Sequence, residues 1–153
     1  MKRVLAIDPG DQRIGIAISD LTRTIANPFG IINHIQREKD AEEILRVSLE
    51  NNVDTIVIGQ ALFSDGTPNP SGRKAARLAA ALNQITNIPV ILWDEFESTQ
   101  LARKTRKEMG VGKKKLRSHM DDLAATIILQ SFLDSQNNDL HISDSQKGRE
   151  HEE

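Results

Sequence analysis

The sequence predicts an α/β protein: a mixed β-sheet made of a three-strand meander followed by alternating helices and strands, with helices on its faces. Three observations carry this. Unbroken apolar runs at Val4–Ile7, Thr55–Gly59 and Val90–Trp93 are what strands covered on both faces look like. Ile14, Ile16 and Ile18 instead alternate with small or polar residues, the two-residue period of a strand. Residues 37–51, 73–86, 97–109 and 119–134 carry apolar side chains at helical spacing.

Taken in order, Val4–Ile7 is the first strand, and the cluster Asp8-Pro9-Gly10-Asp11 turns the chain into the second. A third extended piece, Ala26–Asn33, completes the meander. The helix over 37–51 places Ala41, Ile44, Leu45 and Leu49 on one face. Thr55–Gly59 follows as a buried strand, and Ser64–Gly72, with two prolines and two glycines, reads as a loop. An Ala/Leu-rich helix at 73–86 leads into the strand Val90–Trp93, and two more helices finish the fold. In the last of them Met120, Leu123, Ala124, Ile127 and Ile128 form the apolar stripe. The expected domain is 1–134; residues 135–153 are polar and aperiodic and are expected to be a disordered tail.

The chain has 153 residues, enough to bury a core without covalent staples. It has no cysteine, so disulfides and thiolate zinc sites are excluded. No apolar run approaches membrane-spanning length, which gives the expectation of a cytoplasmic protein with no membrane partner. The net charge of −2 hides an uneven layout: residues 101–120 hold 8 basic side chains against the single Glu108. Lys113, Lys114, Lys115 and Arg117 follow Gly110-Val111-Gly112 and form a candidate phosphate-contact block, or else a solvated helix face. With no Tyr, one Trp and four Phe, platforms for base stacking are scarce, which favours contacts to a nucleic-acid backbone.

Acidic residues fall at the ends of elements. Asp8 ends the first strand, Asp94-Glu95 end the last, and Asp121-Asp122 open the last helix. Chemistry in open α/β sheets gathers beyond the carboxyl ends of the strands, where such carboxylates can meet. Hard oxygen donors suit Mg²⁺ or Mn²⁺, which can serve an in-line phosphodiester displacement. Two of them have structural alternatives: Asp8 as a turn former, and Asp121 as the partner of Ser118 in a helix cap. The expected apolar stripe leaves Asp121 on its flank, roughly 80° from the centre, and turns Asp122 away, which selects Asp121.

The segment "LAIDPGDQRIGIAISD" (Leu5–Asp20) resembles the signature of the YqgF family, which is RuvX-like. "IVIGQ", "DGTPNPSGRKA", "VILWDEFESTQLARK" and "MDDLAATIILQSFLD" match in the same order, over about residues 3–134. The resemblance implies an RNase H-like fold and a nuclease that matures the 5′ end of 16S ribosomal RNA. The alternatives are a Holliday-junction resolvase-like DNA nuclease, or a non-catalytic nucleic-acid-binding module of the same fold. By position it implies Asp8, Glu95 and Asp121 as catalytic and metal-binding acids for Mg²⁺ or Mn²⁺. The expected partner is nucleic acid: structured RNA or branched DNA. Arg13 is a candidate phosphate clamp, or a surface partner of Asp11. Ser98 and Thr99 are candidate phosphate contacts or caps at a helix start. The chain departs from the family pattern at Phe96-Glu97, which puts an extra carboxylate beside the site, and at Gly59-Gln60-Ala61.

Overall fold

A computed structural model describes residues 2–63, 65–94 and 123–138. Its elements are β1 (Arg3–Pro9), β2 (Arg13–Ser19), β3 (Ala26–Asn33), α1 (Arg37–Glu50), β4 (Val53–Gln60), α2 (Pro70–Ile85) and β5 (Val90–Asp94). A further helix, α3, covers residues 123–138. The five strands form one sheet in the order β3-β2-β1-β4-β5. β1, β2 and β3 pair antiparallel as a meander; β4 joins β1 and β5 joins β4 in parallel. The mixed sheet expected from the sequence is the one observed.

Strand alternation divides the core in two. Leu5, Ile7, Ile14, Ile16, Ile56 and Ile58 point to one face and pack under α1 and α2. Val4, Ala6, Ala17 and Val57 point to the other, where Ala125, Ile128, Leu129, Phe132 and Leu133 of α3 cover them. β1 lies in the middle of the sheet and is sealed on both sides, so Val4 to Ile7 are fully buried. This explains why the run reads as continuously apolar.

Several boundaries and phases differ from expectation. In α1, Val47 and Ser48 are buried, while Leu49 is exposed. The Ser48 hydroxyl meets its burial cost by donating to the Ile44 carbonyl at 2.7 Å. α2 starts at Pro70, inside the stretch expected to be loop. The Asn69 side chain caps it by accepting from Gly72 N–H at 2.9 Å, and proline suits the first helical position. α3 continues to residue 138, four residues beyond the expected end of the domain at residue 134. Its buried face is also rotated from the expected stripe by roughly 140° at 100° per residue, because Ala125, Leu129 and Phe132 lie at its centre. Leu123 and Ala124 are only half-buried. The helix expected at 97–109 lies outside the described residues, as does the tail beyond residue 138. No helix among the described residues is long and apolar enough to cross a membrane.

Candidate functional site

β1, β4 and β5 all end at the same edge of the sheet, where β2 begins and β3 ends. Asp8 sits there, half-buried and one residue from the end of β1. It has the parity of Val4 and Ala6, so it belongs to the face covered by α3. Gly15 stands directly across from it in β2. That position of the neighbouring strand carries no side chain. Gly15, one of the small residues that alternate with Ile14, Ile16 and Ile18, was the sequence signal for this, and the sequence reading did not use it.

The turn that follows Asp8 is tight. Gly10 N–H donates to the Arg13 carbonyl at 3.0 Å, and a Cβ on Gly10 would lie 2.3 Å from that oxygen. Only glycine fits there. The turn returns the chain so that Arg13 shares the parity of Gly15 and Ala17, which brings it to the same sheet face as Asp8. Asp11, the surface partner considered for Arg13, is instead paired with Lys74 of α2.

Asp94 does not join this group. Trp93 and Ile91 pack on the α3 side, and the Trp93 indole N–H donates to Ser131 Oγ at 3.2 Å. Asp94 consequently points to the opposite face, in register with Gln60, whose amide donates to the Gly72 carbonyl of α2. Gln60 and Ala61, where the chain departs from the family pattern, thus hold the start of α2. A Cβ on Gly72 would lie 2.1 Å from the Ala61 carbonyl oxygen.

Of the sequence-predicted site residues, Asp8 and Arg13 fall within the described structure, on one face of the sheet. Glu95, Ser98, Thr99, Lys113, Lys114, Lys115, Arg117 and Asp121 lie outside the described residues. The helix phase used to prefer Asp121 over Asp122 assumed a different buried stripe, so that preference loses its basis in periodicity. Among the described residues no group of three or more His, Cys, Asp or Glu side chains is placed to hold a metal ion. Asp8 is nevertheless a hard oxygen donor of the kind a Mg²⁺ or Mn²⁺ site needs.

The chain is similar in sequence to known proteins over most of its length. A protein of Thermoanaerobacter pseudethanolicus, provisionally assigned as a pre-16S rRNA nuclease, is 39% identical over 137 residues, covering 89% of this chain and 99% of that protein. A relative from Clostridium botulinum with the same assignment is 37% identical over 86% of this chain and 96% of its own length. Among solved structures, T. thermophilus RuvC in complex with a Holliday junction substrate superposes with a TM-score of 0.53 at 16% identity, covering 89% of this chain and 96% of that one. The fowlpox virus resolvase superposes with a TM-score of 0.52, also at 16% identity, over 88% of this chain and 98% of that one. At that identity the structural likeness speaks for the fold, which is RNase H-like. The sequence model of the RuvX family, described as Holliday junction resolvase, matches residues 2–135, and the chain belongs to that family.

Proposed function

We propose that the chain is a divalent-metal-dependent nuclease hydrolysing phosphodiester bonds, with the precursor of 16S ribosomal RNA as its substrate. The observation that carries this is that Asp8 and Arg13 share one sheet face at the carboxyl end of β1, in a chain whose relatives bear that assignment over nearly their whole length. A four-way DNA junction is the second substrate to test, because the family description names it.

Asp8, Glu95 and Asp121 are the residues that would hold the metal. Glu95 is preferred over Asp94 because Asp94 faces away from Asp8. When bound, the ion supplies Lewis-acid stabilisation of the charge that builds on the phosphate oxygens. The chain's own contribution is positional. Asp8, set in the rigid central strand, fixes one oxygen donor. The Arg13 guanidinium donates to a phosphate oxygen and opposes the developing charge. In the net reaction water adds to phosphorus, the bridging P–O bond breaks, and the departing oxygen takes up a proton. Ser98, Thr99 and the block Lys113, Lys114, Lys115 and Arg117 are proposed as further backbone contacts.

The test is cleavage of structured precursor RNA and of a four-way DNA junction in Mn²⁺, with Asp8→Asn alongside. Asp8→Asn keeps the side-chain shape and removes the charge, so the rate should fall by two or more orders of magnitude with unchanged circular dichroism. An active Asp8→Asn protein, or an inactive wild type on both substrates, overturns the proposal.

A further inference from the structure

A second feature opens at the same edge of the sheet, on the opposite face from Asp8. Between the first turn of α1, the second and third turns of α2 and the β1–β2 turn lies a groove of about 380 Å³. Pro9, the residue after Asp8, lines it, so one tight turn separates groove and carboxylate. Its charged lining comes from Asp11, Arg37, Glu38, Asp40, Lys74 and Arg77, joined by His34.

Two of the three carboxylates are already engaged. Asp40 is buried, accepts the Ile35 N–H at 3.0 Å and is paired with His34 Nδ1. Asp11 is paired with Lys74. Arg37 and Arg77 are exposed and have no ion-pair or hydrogen-bond partner among the described residues. Two guanidiniums from different helices therefore converge on one groove, where Glu38 is the lining carboxylate without a partner among the described residues. Lys39, two residues from Arg37, and Arg73, four residues from Arg77, are also exposed.

We infer that this groove holds a second stretch of the substrate's sugar–phosphate backbone, with Arg37 and Arg77 as its phosphate contacts. The inference rests on the nuclease reading and extends it from the scissile phosphate to the path of the strand. Guanidinium groups offer paired N–H donors that match phosphate oxygens. No Phe, Tyr or Trp lines the groove, so it offers no platform for stacking bases and suits a backbone. Its volume fits a short nucleotide segment and is too small for a duplex. Contacts on both sides of the β1–β2 turn make the strand cross that turn, which holds the bond between them in register with Asp8. Sequence spacing does not reveal the pair, because residues 37 and 77 meet only through the order of strands in the sheet.

The test is fluorescence anisotropy with labelled precursor RNA and a four-way DNA junction over a salt series, on the Asp8→Asn protein so that cleavage plays no part. Arg37→Ala with Arg77→Ala should weaken binding on the order of tenfold at 0.1 M salt and flatten the log–log salt slope by about two units. Glu38→Gln should tighten binding. Lys2→Ala with Arg46→Ala, which removes the same charge away from the groove, should leave the slope near that of the parent. A double-arginine variant with the parent's slope, a control that shifts as much, or a parent that binds neither probe overturns the groove assignment. Cleavage by the wild type is scored separately: binding that depends on the two arginines without any cleavage sinks the nuclease reading and leaves the groove standing.

Discussion

A carboxylate nearly sealed from water needs its oxygens answered, and at Asp40 both are. One accepts the Ile35 N–H and the other meets His34 Nδ1, so a residue in the first turn of α1 fastens the chain that enters the helix. The cap position itself, Gln36, makes no side-chain cap hydrogen bond, and Asp40 takes over part of that duty from inside the helix. Asp40→Ala strands a backbone donor and removes the His34 partner, which should destabilise the fold by about 1–3 kcal/mol. Chemical denaturation measures this, and a variant with the parent's midpoint would show that water serves those groups equally well. At this scale the sequence was partly legible. Asp8 and Arg13 stood out because a strand end, a glycine turn and a second strand are local features. The partners of Asp40 and the sheet face to which Asp94 points depend on burial and register, and a single acidic letter carries neither.

Elements were legible where their period was unambiguous and less so where polar residues set the boundary. The meander reads directly because Ile14, Ile16 and Ile18 repeat at two residues. α2 begins earlier than its apolar pattern because Asn69 and Pro70, read as loop formers, also serve as cap and first helical residue. The β2–β3 turn shows a similar economy. Asp20 accepts from the Thr22 hydroxyl at 2.6 Å, the Thr24 N–H at 2.9 Å and the Ile25 N–H at 3.1 Å, while Arg23 takes up a positive φ of 58°. The Thr22 hydroxyl first, and then the two backbone N–H groups, hold the Asp20 carboxyl below its ordinary value of 3.8. A carboxyl depressed in the folded state adds stability above its unfolded value and loses it as the pH falls through the folded midpoint. Accordingly, the stability difference between the wild type and Asp20→Ala should be constant from neutral pH down to about 4 and shrink below it. Carboxyl-detected NMR titration should place the Asp20 midpoint under 3.8. A midpoint at or above that value would remove the turn's pH dependence.

Over the whole molecule, β1 is the axis: sealed by α1 and α2 on one side and α3 on the other, it ends in a carboxylate whose position the entire core fixes. This central rigidity was foreseeable from Val4–Ile7, whereas the rotation of α3 was not, because Leu123, Ala124 and Ile127 define an equally apolar stripe in one dimension. The order of the sheet, not the helix period, decides which stripe turns inward. A metal held, as proposed, by Asp8 together with Glu95 and Asp121 would tie the central strand to two later parts of the chain. Without a cation, three carboxylates brought together repel one another, and binding relieves that repulsion in the native state alone. Linkage then makes Mn²⁺ a stabiliser: at one hundred times its dissociation constant the gain is about 2.7 kcal/mol. For a domain of this size that corresponds to a rise in Tm of about 5–10 °C over the protein in EDTA. Asp8→Asn and Glu95→Gln should each lose most of the rise, while Asp94→Asn, facing the other side of the sheet, should retain it. Thermal melts of the four proteins with and without Mn²⁺ decide the matter. A rise in Asp8→Asn equal to that of the wild type would place the ion elsewhere, and a loss in Asp94→Asn alone would give the metal to the face of α1 and α2.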